Sequence, residues 1–309
     1  MIPIITIQGP TAVGKSSLAI KLAKELNTEI ISADSRQIYR FTNIGTAKPS
    51  PAEMAKVKHH LINIKNPDEK YNAGDFVKDA DKIINDLHSK NKIPIIVGGT
   101  AFYIKSLIFG LFKSQEIPQK IKDDINKLLI EKGNDYLYEI LKEKDPESAD
   151  RIHKNDTYRL VRSLEIYEAT GKKINEHWKE QKKAIRYDSF NILVVDDRER
   201  LYERINNRID FMIQNGLLNE VDNLLKLGFH FSDPGLNSVG YIEWKSFFNK
   251  ITSIEECIDK IKQNSRHYAK RQLTWYRKVD FDLTLTSNQI ILSEILTKIK
   301  AKNNFGGNK

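Results

Sequence analysis

Short apolar runs alternate with amphipathic segments over the first third of the chain. Each run is too short to form a helix and is rich in the isoleucine and valine residues that favour strands. We therefore predict three strands here: 4–7, 29–34 and 93–99. Between them, 15–26 and 75–87 space their apolar residues at helical intervals, and Ser50 stands as the N-cap of a further short helix. This alternation is typical of a parallel sheet covered by helices on both faces.

The strand pattern stops at about residue 117 and returns only after residue 186. Helical patterns follow one another in between, which predicts a helical domain inserted into the α/β core. A strand over 190–197, a helix over 198–214 that Gly216 ends, and a last strand over 281–286 complete the core. The predicted domains are 1–114 (first part of the core), 115–186 (helical insertion), 187–302 (rest of the core with a basic helix) and 303–309 (flexible tail).

The turn after the first strand carries the pattern G-x-x-x-x-G-K-S, known as the P-loop. Its members are Gly9, Pro10, Thr11, Ala12, Val13, Gly14, Lys15 and Ser16. In such a loop the backbone N–H groups surround a phosphate, the lysine neutralises its charge and the serine hydroxyl binds Mg²⁺. We therefore expect an α/β, P-loop NTPase-like parallel sheet flanked by helices. Its ligand should be a diphosphate or triphosphate, with Mg²⁺ at Ser16.

Polar residues follow the next two strands, where an open α/β sheet places its ligands. Asp34 ends the second strand and could hold Mg²⁺ through water or accept a proton from a nucleophile. The third strand ends in Gly98, Gly99 and Thr100, without the acidic residue that a nucleotide-hydrolysing P-loop protein uses for Mg²⁺. Thr100 offers its hydroxyl to a phosphate oxygen, although a turn residue is equally compatible with this spacing.

The charge of the chain is basic, with 50 Lys and Arg against 41 Asp and Glu and a pI near 9.2. The segment 260–278 is rich in Lys and Arg, contains no acidic residue and includes three aromatic side chains. Such a helix can bind phosphates while its aromatic side packs on the protein, or it can be a solvated face. Two more basic rows occur on predicted helices: Arg159 with Arg162, and Arg200 with Arg204 and Arg208.

Several protein classes are disfavoured by the composition. A single cysteine excludes an internal disulfide, and the seven histidines lack the paired spacing of metal ligands. The first residues have no basic region before their short apolar run, and no stretch reaches the roughly 18 apolar residues of a membrane span. We expect a cytoplasmic, monomeric protein without a membrane partner.

Seven motifs, taken in order, resemble those of the tRNA dimethylallyltransferases of bacterial type. They are GPTAVGKSSLA, ISADSRQIY, IGTAKP, IIVGGTAFY, DTYRLVRSLEIYEATGK, NSVGY and RHYAKRQLTWYRK. The resemblance implies transfer of a dimethylallyl group from dimethylallyl diphosphate to N6 of the adenosine 3′ of the anticodon, with the anticodon stem-loop of tRNA as partner. One departure concerns Asn237, where some relatives carry Arg or Gln.

The resemblance also implies roles for individual residues. The diphosphate and Mg²⁺ would be bound by the P-loop, Asp34 would accept the amine proton, and Lys15 and Thr100 would assist departure of the diphosphate. The positions implied to contact tRNA are Asp34, Ser35, Arg36, Gln37, Tyr158, Arg159, Leu160, Val161, Arg162, Arg266, Lys270 and Arg271. The helical insertion would hold the anticodon stem.

Three alternatives share parts of this pattern. An adenylate isopentenyltransferase uses the same donor with a free nucleotide, and a small-molecule P-loop kinase could also place Asp34 at a strand end. A non-catalytic RNA-binding protein could use the P-loop as a nucleotide switch. The kinase would leave the insertion and the acid-free segment 260–278 without a role.

Overall fold

The computed structural model describes residues 1–111, 117–180 and 185–302, so the predicted tail 303–309 lies outside the described residues. Six strands within these described residues form one sheet: β1 (Ile2–Gln8), β2 (Ile30–Ser32), β3 (His59–His60), β4 (Ile95–Gly98), β5 (Tyr187–Val195) and β6 (Leu283–Thr286). Their order is β3-β2-β4-β1-β5-β6, and every pairing is parallel. The predicted parallel α/β sheet is confirmed. The strand β3, which has only two residues, was not predicted.

Helices cover this sheet. They are α1 (Lys15–Glu25), α2 (Pro51–Lys56), α3 (Ala73–Ser89), α4 (Ala101–Phe109), α9 (Arg198–Gln214), α10 (Leu217–Lys226), α11 (Trp244–Phe248), α12 (Ile254–Tyr276) and α13 (Leu292–Ala301). Local sequence fixes several helix ends. The Ser50 side chain accepts the Glu53 N–H while the Glu53 carboxylate accepts the Ser50 N–H, so the predicted N-cap of α2 is confirmed. Gly216 has a φ of 92° and follows α9, as expected for the residue that ends a helix.

The main core lies around β1 in the centre of the sheet. Ile5 and Ile7 of β1 are fully buried and pair with β4 and β5 in register, Ile7 opposite Val97 on one side and Ile192 on the other. Apolar side chains of α1 and α9 pack against the same strands. Burial on both faces explains why these strands are continuous apolar runs.

The chain divides into two compact units, one comprising Met1–Gly110 with Ile185–Lys309 and the other Leu111–Ala184. The second unit holds the helices α5 (Gln119–Lys144), α6 (Pro146–Ala149), α7 (Thr157–Thr170) and α8 (Ile174–Glu180). Gly133, with a φ of 78°, interrupts the helical geometry of α5. Leu137 and Leu141 of α5 form a small core with Leu160 and Leu164 of α7. The predicted boundaries, 114/115 and 186/187, lie close to these divisions, and separate roles for the two units stay a prediction.

No helix in the described part of the chain is both long enough and apolar enough to cross a membrane.

Candidate active site

The carboxyl ends of β1, β2 and β4 meet at one edge of the sheet, and a cavity of about 510 Å³ opens there. Its walls come from the turns after these three strands, the loop 45–49, and parts of α9, α12 and the segment 237–242. All of these belong to the first unit. Parallel strands end at a common edge, so residues far apart in sequence converge on the same space.

The P-loop forms the floor of this cavity through Thr11, Ala12, Lys15 and Ser16. The Lys15 ammonium donates a hydrogen bond to the Pro10 carbonyl oxygen at 2.6 Å. Burial lowers the pKa of Lys15 to about 7, with Asp34 opposing and Arg208 reinforcing the change. Because burial disfavours the charged form of Lys15, a phosphate anion beside it would stabilise the ammonium.

Other members of the P-loop shape its backbone. Gly9, Pro10, Val13 and Gly14 do not line the cavity, and Val13 is fully buried in the core. Gly9 has a φ of 151°, and a Cβ on it would overlap the Val194 carbonyl oxygen of β5. Glycine is therefore required there by close packing against the neighbouring strand.

Two residues of α12, Gln272 and Tyr276, fix the P-loop to the end of β4. Both lie in the motif RHYAKRQLTWYRK, but neither was predicted to support the P-loop. The Gln272 side chain accepts the Thr11 N–H at 2.9 Å and donates to the Gly99 carbonyl oxygen at 2.9 Å. The Tyr276 hydroxyl donates to the Gly9 carbonyl oxygen at 3.3 Å. Both side chains are buried, and Gln272 also lines the cavity, so they hold the loop from within the protein.

Asp34 lines the cavity beside the P-loop, as its position at a strand end predicted. Its Oδ1 accepts the Arg36 N–H at 2.9 Å, and the Arg36 guanidinium donates to the Pro234 carbonyl oxygen at 2.8 Å. Gly98 at the end of β4 lets the chain before Asp34 lie close to it, because a Cβ on Gly98 would overlap the backbone of Ala33. The Asp34 carboxylate lines the same cavity as the Lys15 ammonium.

Thr100 is the N-cap residue of α4 near this edge, but it is not among the residues that line the cavity. Its hydroxyl oxygen accepts the Ser35 N–H at 3.0 Å and lies 3.4 Å from the Ser35 hydroxyl. In this arrangement the hydroxyl supports the turn after β2. A contact between Thr100 and a phosphate stays a prediction.

Arg208 is a site residue that sequence analysis noted without assigning it. Arg200 and Arg204 form ion pairs with Asp196, whereas the Arg208 guanidinium reaches across to the Thr11 hydroxyl at 3.3 Å. Burial lowers the pKa of Arg208, and the charge of Asp34 opposes this. No ion pair involves Arg208 within residues 1–111, 117–180 and 185–302. The regular i, i+4 spacing of the row was the only sequence signal.

The basic residues of α12 differ in their surroundings. Arg266 is partly buried and donates to the Asn206 side chain at 2.7 Å, whereas Lys270 is exposed. Arg271 lines the cavity and lies 5.8 Å above the Tyr268 ring, which lines it too. Burial raises the pKa of Tyr268 to about 12. The acid-free segment therefore places an aromatic ring and a guanidinium at the cavity itself.

A protein-family model described as "IPP transferase" matches residues 37–279, which is most of the chain. The chain belongs to the IPP transferase family. It is 45% identical over 284 residues to a tRNA dimethylallyltransferase of Caldanaerobacter subterraneus, covering 91% of this chain and 90% of that one. It is 44% identical over 304 residues to one of Bacillus cereus, covering 97% and 95%. The predicted resemblance to bacterial enzymes is confirmed.

Solved structures of the family agree with the fold. A tRNA Δ²-isopentenylpyrophosphate transferase of Staphylococcus epidermidis is 39% identical, with a TM-score of 0.72, and the match covers 98% of this chain and 100% of that one. A eukaryotic dimethylallyltransferase solved acting on tRNA is 32% identical, with a TM-score of 0.81, covering 93% and 74%. The family assignment thus rests on sequence and fold together.

In the second unit, the residues that the family resemblance assigns to tRNA divide into two groups. Leu160 is fully buried, and Val161 packs against the same core, so their side chains stabilise α7. Tyr158 is 79% exposed, which is unusual for so large an aromatic side chain. Arg159 is exposed and forms an ion pair with Asp156 at 2.6 Å, and Arg162 forms one with Glu165 at 3.0 Å. Contact of this helix with tRNA stays a prediction.

Proposed function

We propose that this member of the IPP transferase family transfers the dimethylallyl group from dimethylallyl diphosphate to the N6 amine of the adenosine immediately 3′ of the anticodon in tRNA. Diphosphate is the other product. The observation that carries the proposal is the convergence of a P-loop, a carboxylate and an apolar wall on one cavity. The names of the bacterial relatives support the same reaction.

The diphosphate binds the P-loop backbone between two cations. Lys15 lies within the loop, and Arg208 reaches it from α9, as its 3.3 Å contact with the Thr11 hydroxyl indicates. Neither cation has an ion pair in the described ranges, so both can pair with an incoming anion. The dimethylallyl group then lies along apolar side chains of the cavity wall, which are Ile205, Ile209, Met212, Val239, Ile242 and Ile261.

The residues present fit Mg²⁺. No group of three or more His, Cys, Asp or Glu side chains among the described residues could hold a metal ion by itself. Mg²⁺, however, keeps several waters and takes one or two protein oxygens beside substrate phosphates. The Ser16 hydroxyl lines the cavity and supplies such an oxygen. When bound, the ion would neutralise charge on the leaving diphosphate.

The reaction breaks the bond between the allylic carbon and the diphosphate oxygen and forms a bond from that carbon to N6. Lys15 and Arg208 stabilise the negative charge that develops on the departing diphosphate. A neutral adenine amine is a poor nucleophile, so Asp34 accepts its proton as the new bond forms. We assign Thr100 to the bridging oxygen, which requires its hydroxyl to turn from Ser35.

The acceptor is a large polyanion. The reacting base must leave the anticodon loop stack, at a cost of about a few kcal/mol. Ser35, Arg36 and Gln37 contact the extruded adenosine and its neighbours, while α7 and the basic residues of α12 bind phosphates of the stem-loop. We further propose that the working unit is a monomer, and a tRNA substrate supports action in the cytoplasm.

The test is transfer of label from radiolabelled dimethylallyl diphosphate to bulk tRNA or to AMP, in parallel reactions. We expect label in tRNA and none above background in AMP. Equal labelling of AMP would instead assign the chain to the adenylate isopentenyltransferases. Phosphorylation of a small molecule from ATP, without prenyl transfer, would assign it to the kinases.

A further inference from the structure

The loop 43–47 forms one wall of the cavity through Gly45, Thr46 and Ala47. Its backbone is held in a conformation that its residues do not prefer. Ala47, its last residue, has a φ of 45°, and Phe41, which precedes the loop, has a φ of 67°. Both values lie in the left-handed region that non-glycine residues avoid. A loop of this kind keeps its shape only where surrounding contacts hold it.

Glu220 supplies those contacts from outside the cavity. It lies in the first turn of α10, and its carboxylate accepts the N–H groups of Asn43 at 2.7 Å, Ile44 at 2.8 Å and Gly45 at 3.1 Å. Hydrogen bonds from three consecutive backbone N–H groups to one anion are individually strong and together define the path of the loop. The positive end of the α10 dipole favours the carboxylate at this position.

The same carboxylate connects the loop to a second wall of the cavity. The Tyr241 hydroxyl donates to Glu220 Oε1 at 2.6 Å, and Tyr241 is fully buried. Its ring packs directly on Gly45, where an added Cβ would lie only 2.5 Å from the ring. Tyr241 ends the segment 237–241, whose first four residues line the cavity. Glu220 therefore joins two cavity walls that are far apart in sequence.

The far end of the loop orients a side chain inside the cavity. Gln37 Nε2 donates to the carbonyl oxygens of Thr46 and Ala47, each at 3.3 Å. Gln37 Oε1 accepts a hydrogen bond from the Ser32 hydroxyl at 3.2 Å. Both ends of the amide are thus fixed, and the direction of the amide depends on where the loop places its carbonyl groups.

We propose that Glu220 is a positioning residue for the acceptor half of the site: it holds the loop 43–47, and the loop orients Gln37 toward the adenosine. The proposal rests on the proposed function, since it takes Gln37 to contact the extruded nucleotide. Glu220 itself does not line the cavity. Its loss should therefore impair use of tRNA while leaving the diphosphate site intact.

The first experiment compares Glu220→Ala with Asp222→Ala. Asp222 lies on the same helix and forms a surface ion pair with Lys226, so its loss is a matched control. We expect Glu220→Ala to lower kcat/KM for tRNA by about tenfold or more, because small displacements of an orienting group have large kinetic effects. The Kd for dimethylallyl diphosphate should stay within about twofold in both variants. Tyr241→Phe, which removes one hydroxyl, should give a smaller loss of the same kind in a folded protein.

A double-mutant cycle tests whether Glu220 acts through Gln37. If it does, Glu220→Ala should cost much less in a Gln37→Ala background than in the wild type. Independent losses in kcat/KM, or equal behaviour of Glu220→Ala and Asp222→Ala, would overturn the proposal. A higher Kd of Tyr241→Phe for dimethylallyl diphosphate would also overturn the proposal, because the loss would then not be confined to use of the tRNA acceptor.

Amide hydrogen exchange over 41–47 separates this proposal from the proposed function. Glu220→Ala should speed exchange in that segment by about tenfold or more, because three protecting hydrogen bonds are lost, and Asp222→Ala should not. Suppose that Glu220→Ala speeds exchange but the wild-type protein does not modify tRNA. The proposed function and the positioning role for tRNA would then both be overturned, while the conclusion that Glu220 holds the loop would stand. Unchanged exchange with an active wild type would overturn the positioning role alone.

Discussion

Replacing Arg208 by methionine should weaken diphosphate binding without weakening the fold. The substitution keeps an apolar stem on α9 and removes the guanidinium. In the free protein the guanidinium makes a 3.3 Å hydrogen bond to the Thr11 hydroxyl, and no ion pair of Arg208 occurs in the described residues. Burial also lowers the pKa of Arg208, so its charge is disfavoured in the empty site. Little folding energy is therefore lost with it.

The bound state is different, because a diphosphate gives this charge a partner. A hydrogen bond to a charged group contributes about 1.5–3 kcal/mol, so the Kd for dimethylallyl diphosphate should rise by about 10- to 150-fold. Isothermal titration calorimetry with dimethylallyl diphosphate measures this change. Thermal unfolding of the ligand-free protein measures the other half of the prediction, and the Tm should stay equal to that of the wild type or rise.

Arg198→Met is the matched control. Arg198 lies on the same helix, is exposed, and stacks 5.2 Å above the Tyr202 ring, so the same net charge is lost away from the cavity. It should leave the Kd within about twofold of the wild-type value. This expectation fails if Arg208→Met binds the diphosphate as tightly as the control does. It also fails if Arg208→Met lowers the Tm of the free protein by more than about 2–4 °C, roughly 1 kcal/mol for a unit of this size.

Three further predictions concern other parts of the protein. Asp34→Ala should lower kcat by about 10²-fold or more with little change in tRNA affinity, and single-turnover kinetics showing near-normal rates would leave Asp34 a merely positional residue. Replacing Arg266, Lys270 and Arg271 together by Ala should flatten the slope of log K against log salt for tRNA binding by about two to three units; parallel lines in the salt titration would show a solvated face. Burial opposes ionisation of Glu29, but hydrogen bonds from a neighbouring histidine and lysine outweigh it and lower its pKa to about 2 from 4.5. The ionised Glu29 carboxylate therefore stabilises the fold fully above pH 4.5, and this stabilisation is lost as the pH falls toward 2. Glu29→Gln should make the free energy of unfolding less dependent on pH between 4.5 and 2, and an unchanged pH dependence would contradict this role of Glu29.

Much of the site could be predicted because its chemical groups belong to motifs of residues that lie close together in the sequence. The P-loop motif itself defines a strand, a turn and a helix, and Asp34 follows a strand whose end must share an edge with it in a parallel sheet. The capping box at Ser50 and Glu53 likewise involves residues only three positions apart. Features that close within a few residues need no knowledge of the tertiary fold.

The remainder depends on contacts between distant segments. Arg200, Arg204 and Arg208 have identical spacing, and only the approach of Asp196 to the first two and of Thr11 to the third distinguishes them. Gln272 supports the P-loop from 261 positions away. The strand β3 has two residues, too few for a periodic pattern, and forms only because β2 offers it a free edge.

A pair of synthetic anticodon stem-loops tests whether a dimethylallyl group is transferred to one adenosine of tRNA. One carries adenosine immediately 3′ of the anticodon, and the other differs only in having guanosine there. After incubation with the protein, dimethylallyl diphosphate and Mg²⁺, nuclease digestion and mass spectrometry identify the modified nucleoside. We expect N6-dimethylallyladenosine from the first RNA and no prenylated nucleoside from the second. Equal modification of both RNAs, or of neither while AMP is prenylated, would rule out the proposed reaction.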